Sequence, residues 1–180
     1  MKILLSTDAY ACITNGVVTS VKNLRKELIE LGHDVRVLTL SPTNTSYIDE
    51  KEKIFYLGSF DLSKIYPNAR FTPYLKSPII SEIINWKPDI IHSQSEFTTF
   101  YISTLIKNKL FIPQVHTCHT LYEDLTHYFS KHELIGKKFA INFTKNISKK
   151  TTSFIVPSIK TKTKLLNMEL RSPFILSLLD

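Results

Sequence analysis

Short apolar runs alternate with segments of helical period along nearly the whole of this chain, and that alternation leaves few folds open. Lys2 to Thr7 is an apolar run suited to a buried strand. Val17, Val21, Leu24, Leu28 and Leu31 then recur at spacings of four, three, four and three, one face of a helix that Gly32 stops. Asp34 to Leu40 (DVRVLTL) is β-branched and alternating, a second strand closed by Ser41-Pro42. A third strand is predicted over Lys53–Leu57, a helix over Pro78–Trp86 and a fourth strand from Ile90 to Ser93. A helix over 97–110, a strand over 114–118, a basic helix over about 133–149, a strand over 152–156 and a helix from Ser158 to about Leu166 complete the order. Segment 61–75, with Pro67 and Pro73 among Tyr66, Phe71 and Tyr74, reads as a loop.

Strands alternating with helices of ten to fifteen residues predict an α/β fold: a Rossmann-like, doubly wound parallel sheet with helices on both faces. Such sheets bind ligands where the carboxyl ends of strands lead into helices. The loops at 8–16, 93–97, 117–124 and 157–160 are therefore the places for chemistry.

The 180 residues suit one sizeable domain, and 43% hydrophobic with 22% charged residues is ordinary for a globular chain. The net charge of +7 favours anionic partners: phosphate-bearing ligands, acidic membrane surfaces or nucleic acid. No DNA- or RNA-binding module is recognisable, so nucleic acid is not expected. Cys12 and Cys118 make no disulfide framework and are expected as thiols. The apolar start is interrupted by Asp8, too early for a signal peptide, and no run approaches the roughly 18 apolar residues of a membrane span. A cytoplasmic protein that does not cross a membrane is expected.

Asn15-Gly16-Val17 opens the first helix. Gly16 would let backbone approach a ligand, and the free N–H groups beyond it suit phosphate; an ordinary Asn-Gly turn explains the same residues equally well. The G-x-G-x-x-G and P-loop patterns are absent, which argues against a nicotinamide dehydrogenase. In Ile112-Pro-Gln-Val-His-Thr-Cys-His-Thr120, residues 116 and 118 share a strand face and His119 points away. No fourth ligand stands at zinc spacing, and the H-E-x-x-H pattern begun at His132-Glu133 fails at Gly136. No metal is expected; His119 is read as a lone imidazole at a strand end, and His116 as a core histidine. Glu96, in Ser93-Gln-Ser-Glu-Phe97, would hold an acceptor hydroxyl or orient His119. The plainer alternative, that Ser95 caps the next helix and Glu96 is a first-turn carboxylate, is favoured by the residues alone. Residues 131–150 carry six lysines against the single acid Glu133, with Ile135, Phe139, Phe143 and Ile147 four apart. That describes a basic amphipathic helix whose apolar stripe is expected in the core, with Lys137, Lys138 and Lys145 toward anionic lipid.

As a set, these loops resemble the N-terminal domains of the GT-B glycosyltransferases of family four. The matching residues are Asn15-Gly-Val-Val-Thr-Ser20, Leu31-Gly-His-Asp-Val35, Pro88-Asp-Ile-Ile-His-Ser-Gln-Ser-Glu-Phe97, Ile112 to Asp124 and Val156-Pro-Ser158. The H-T-x-H-T-x-Y-E-D run is most similar to bacterial diacylglycerol glucosyltransferases. The resemblance covers roughly 1–166 and implies the N-terminal, acceptor-side half of a GT-B fold. It implies a retaining hexosyltransferase using UDP-glucose and diacylglycerol without a metal cofactor, peripheral on the inner face of the cell membrane. Asn15, Gly16 and Val17 would approach the donor, His119 and Glu96 the reacting groups, and Tyr122, Glu123 and Asp124 the acceptor, with 66–76 and 120–130 facing the lipid. Family members run to about twice this length. Their donor-binding second domain has no counterpart here, and 167–180 departs from the family pattern, so the chain alone is expected to be inactive. The rival readings are a non-catalytic fragment that binds acidic lipid or a partner chain, self-association included, and a GT-B epimerase acting on a UDP-sugar, which lacks the H-T-x-H-T-x-Y-E-D pattern.

Overall fold

A computed structural model describes residues 1–10, 15–64, 69–119, 133–156, 158–167 and 173–176, with the backbone alone at 133–137, 164 and 174–176. The chain forms two compact units, Met1–Gln114 and Val115–Asp180.

In the first unit, β1 (Lys2–Ser6) pairs in parallel with β2 (Asp34–Leu40) on one edge and with β7 (Ile90–Ser93) on the other. Beyond β2 lies β4 (Ile54–Leu57), parallel, and beyond that β3 (Tyr47–Asp49), antiparallel. The helices are α1 (Gly16–Glu30), α2 (Pro78–Trp86) and α3 (Thr98–Leu110). A period of two sends alternate side chains to opposite faces. Ile3, Leu5, Val35, Val37, Ile54 and Tyr56 accordingly cluster with Val21 of α1. Leu4, Leu38, Leu40, Phe55, Leu57 and Ile91 cluster instead with Ile79, Ile83, Ile102 and Ile106 of α2 and α3. Both faces are buried, and the doubly wound α/β fold predicted from the alternation is the one found.

Local chemistry explains the helix limits. Ser77 caps α2 by accepting the Ile79 N–H at 3.3 Å, and Pro78 stands in the first turn, where a missing N–H costs nothing. Gly32, at φ +83°, ends α1 in the left-handed conformation that glycine adopts without strain.

In the second unit, β8 (Gln114–Thr117), β9 (Ser153–Val156) and β10 (Phe174–Leu176) run parallel in the order β10-β9-β8. The helices are α4 (Glu133–Lys150) and α5 (Ile159–Asn167), with Ser158 Oγ accepting the Thr161 N–H at 3.1 Å.

Three features depart from the sequence reading. Segment 61–75 is not all loop: β5 (Phe60–Asp61) and β6 (Arg70–Phe71) pair antiparallel, Phe60 opposite Phe71. Strand β3 is unanticipated, because three residues are too few to display a period; Tyr47 gains its place by stacking on Tyr56, ring centroids 4.5 Å apart. The apolar stripe of α4 is only partly core. Ile147 is buried, Phe143 half-buried and Phe139 61% exposed. A strict four-residue step drifts about 40° per step around a helix, so two steps carry Phe139 away from the buried face. That face is instead Ala140, Thr144, Ile147 and Ser148.

Candidate functional site

The loops that leave the carboxyl ends of β1 and β7 meet in the first unit. Asn15 caps α1, its Oδ1 accepting the Val18 N–H at 2.9 Å, so its side chain is committed to the helix end. Gly16 begins the helix, and a Cβ built on it meets nothing within 4 Å. Packing therefore does not require glycine there, whereas a close ligand would. Val17 is half-buried and packs on the α1 side of the sheet.

The β7–α3 loop carries Glu96, which is 6% exposed. Ser95 is not the cap of α3. Its Oγ accepts the Asp8 N–H at 3.0 Å and lies 3.2 Å from Thr7 Oγ1. The cap comes from β1: Asp8 Oδ1 accepts the Thr99 N–H at 2.8 Å, while Phe97 at the cap position has no side-chain bond to offer. Burial, and after it the charge of Glu96, pushes the Asp8 carboxyl up to about 6, with the Thr99 N–H pulling the other way. The sequence reading passed over Asp8 because it saw the residue as the end of an apolar run; its role depends on a partner 91 positions away.

On the same edge, the carboxyl ends of β2 and β4 are tied to the β5–β6 hairpin by Arg70. Its Nε donates to Ser41 O at 3.0 Å and to Ser59 Oγ at 2.7 Å, and a terminal nitrogen donates to Ser59 O at 3.1 Å. Beside the hairpin a groove of about 590 Å³ is lined by Asn44, Ser46, Pro73, Tyr74, Leu75 and Ile79 among others. Gly58 is required here: a Cβ on it would stand 2.2 Å from Asn44 O.

In the second unit, His116 is fully buried, edge-on to Phe154 at 5.2 Å between ring centroids, the core histidine expected. Cys118 is buried and in no disulfide, and His119, half-buried, follows at the carboxyl end of β8. Tyr122, Glu123 and Asp124 lie outside the described residues, as does the side chain of Lys137. Lys138 is exposed beside Phe139, and Lys145 is half-buried two residues beyond Phe143. Among the described residues no three His, Cys, Asp or Glu side chains converge as metal ligands do, and no helix is long and apolar enough to cross a membrane.

Residues 14–172 match the model of Glycosyltransferase Family 4. The chain is 30% identical over 177 residues to an alpha-monoglucosyldiacylglycerol synthase of Acholeplasma laidlawii, covering 94% of this chain and 44% of that protein. It is 33% identical over 135 residues to the synthase of the same name from Streptococcus pneumoniae, covering 75% of this chain and 30% of that one. The chain thus spans less than half the length of these relatives. Among solved structures, Anabaena HepE in complex with UDP and glucose superimposes with a TM-score of 0.63 at 11% identity, over 98% of this chain and 43% of HepE. A sucrose-phosphate synthase from Thermosynechococcus elongatus gives 0.60 at 16%, over 97% and 47%. At these identities the likeness speaks for the fold alone, the N-terminal half of a GT-B architecture. From the family match and the two synthases together, this chain belongs to glycosyltransferase family 4.

Proposed function

We propose that this chain is the acceptor-side half of a hexosyltransferase that moves glucose from UDP-glucose to a diacylglycerol-based lipid, with retention at the anomeric carbon. The observation that carries the reading is the 30% identity over 177 residues to an alpha-monoglucosyldiacylglycerol synthase. HepE, which shares this fold, was solved with UDP and glucose, ligands of the donor class proposed here. Gly16, open to solvent at the start of α1, suits the approach of a donor diphosphate, because helix N–H groups stabilise the leaving charge. His119, at the carboxyl end of β8, is assigned to the sugar, and Glu96, on the β7–α3 loop, to the attacking hydroxyl. Tyr122, Glu123 and Asp124 belong to the acceptor side, and no metal is needed.

The acceptor reading draws on the hairpin edge. Tyr74 and Leu75 line the groove, and Phe60, packed against Tyr74, and Phe71 stand on the adjoining hairpin; all four are exposed large apolar side chains, a concentration unusual on a surface that meets only water. Lys138, exposed next to the exposed Phe139, and Lys145, two turns further along the same side of the helix as Lys138, suit the acidic headgroups of a bilayer, with the protein peripheral on its inner face.

The test is transfer of labelled glucose from UDP-glucose to diacylglycerol in mixed vesicles by the enzyme carrying this chain, with and without a chelator. Chelator-insensitive transfer that His119→Ala abolishes supports the reading. Vesicle binding with no transfer to any glycerolipid would leave a lipid-binding role in its place.

A further inference from the structure

The apolar stripe of α1 packs on the sheet through Val21, Leu24 and Leu28. The neighbouring stripe of the same helix, Lys22, Arg25, Lys26 and Ile29, keeps the spacing of a packed face but puts three cations on it. That stripe walls a cavity of about 660 Å³, whose floor is the Tyr10 ring with Ile54 and Tyr56 of β4. Tyr10, Ile54 and Tyr56 are buried, while Ile29 stands exposed at the wall.

The protein fixes this wall in place without neutralising it. Arg25 is mostly buried, and its guanidinium donates to the Tyr10 hydroxyl at 3.4 Å and to the Glu52 carbonyl. Its Nε is buried with no hydrogen-bond partner among the described residues. The Glu52 carboxylate lies 3.7 Å from Arg25, and that of Glu30 lies 3.7 Å from Lys26, both beyond hydrogen-bond length. Lys22 has no carboxylate partner among the described residues; its Nζ stands 5.7 Å from the centroid of the Tyr10 ring. Like charges three and four residues apart destabilise a helix, and an anion seated among them removes that cost. A phosphate offers three acceptor oxygens to one helix face, whereas Glu30 and Glu52 each reach a single cation. The cavity has the size of a small-molecule site and far exceeds an inorganic ion, and its floor is apolar and aromatic. The ligand that fits it joins an anionic group to a compact apolar or aromatic body.

We propose that the cavity between α1 and β4 is a binding site for a small organic phosphate. Lys22, Arg25 and Lys26 hold the phosphate, and the body of the ligand rests on Tyr10, Ile54 and Tyr56. The site is separate from the residues assigned to the donor. Asn15, Gly16 and Val17 do not line it. Lys22 lies about 9 Å along the helix from Gly16. The inference does not rest on the transferase reading, and its test needs no activity.

Phenyl phosphate and inorganic phosphate are titrated separately into the isotope-labelled chain and followed by amide NMR. Phenyl phosphate is expected to shift Tyr10, Lys22, Arg25 and Tyr56 together. It should bind about tenfold or more tightly than inorganic phosphate, because burying a ring adds to the contacts of the charge. Lys22→Glu combined with Lys26→Glu alters exposed side chains alone, so the variant should melt close to wild type and bind phenyl phosphate at least about tenfold more weakly. Lys22→Gln, which adds no new charge, should give a smaller loss in the same direction. Equal affinity for the two phosphates, no shift with phenyl phosphate, shifts gathered at Gly16 instead of Tyr56, or unchanged affinity in the double variant would overturn the proposal. Phosphatidylglycerol vesicles separate the two sources of a phosphate group. Vesicle binding that the double variant loses, with no response to phenyl phosphate, would assign these cations to a bilayer surface and overturn the cavity site.

Discussion

Trp86 donates its indole N–H to Asp34 Oδ2 at 3.0 Å, while Lys53 Nζ holds Oδ1 at 2.8 Å. This ties the last residue of α2 to the first residue of β2, and Arg36 lies over the Trp86 ring at 4.6 Å. The Lys53 ammonium, and after it the indole, hold the Asp34 carboxyl below the usual carboxylate range. Asp34→Ala is expected to cost about 1–2 kcal/mol of stability at pH 7. Because the folded value is depressed, this contribution is present above the unfolded value of about 3.9 and is lost as pH falls through the folded one. Urea melts of wild type and variant at pH 7 and pH 3 check this: the gap should narrow only at the lower pH.

Two glycines make opposite predictions. Gly16→Ala places a methyl in open space at the first position of a helix, so the melting temperature should hold while transfer falls. Gly58→Ala drives a methyl into the Asn44 carbonyl, and about 1–3 kcal/mol of destabilisation is expected. Thermal melts of both variants beside a transfer assay separate a glycine kept for a ligand from one kept for packing.

Arg70 joins the hairpin to the carboxyl ends of β2 and β4 with three hydrogen bonds from two nitrogens of its planar fork. Lysine carries the charge without the fork, so Arg70→Lys should not restore the tie. The expected result is a raised KM for diacylglycerol with KM for UDP-glucose unchanged. Equal changes in both would detach the hairpin from the acceptor side.

Phe139 stacks near-parallel on Phe143 at 6.4 Å and stands exposed beside Lys138. Burying one such ring in a bilayer interface contributes about 1.5–3 kcal/mol, so Phe139→Ser should weaken binding to anionic vesicles about tenfold or more. Lys138→Glu should weaken it mainly at low salt, where screening is least. Co-sedimentation across a salt series reads both.

Much of the architecture was legible in the linear order. A buried strand needs a short apolar run and a packed helix needs a four-three spacing, and Val17 to Leu31 or Asp34 to Leu40 display these without reference to any partner. Caps are equally local: Ser158 acts within four residues of itself, which is why the helix it starts was foreseen. Gly16 was legible as a candidate from its place after a predicted strand. The likeness of 88–97 and 112–124 to a family was legible from their wording alone.

Other features required the chain to fold first. Strand β3 and the β5–β6 hairpin are too short to carry a period and exist because β4, Tyr56 and Arg70 give them partners. Phe139 left the core because a small angular drift accumulates along a helix, and only the packed neighbours decide which side of the stripe is covered. Asp8 is the clearest case. By itself it is one carboxylate after an apolar run; folding sets it against Thr99 and the charge of Glu96, and removes its second oxygen from water. Sequence determined the elements because hydrophobic periodicity and caps act over a few residues. Tertiary structure decided which groups are buried together, because desolvation and charge act through space rather than along the chain.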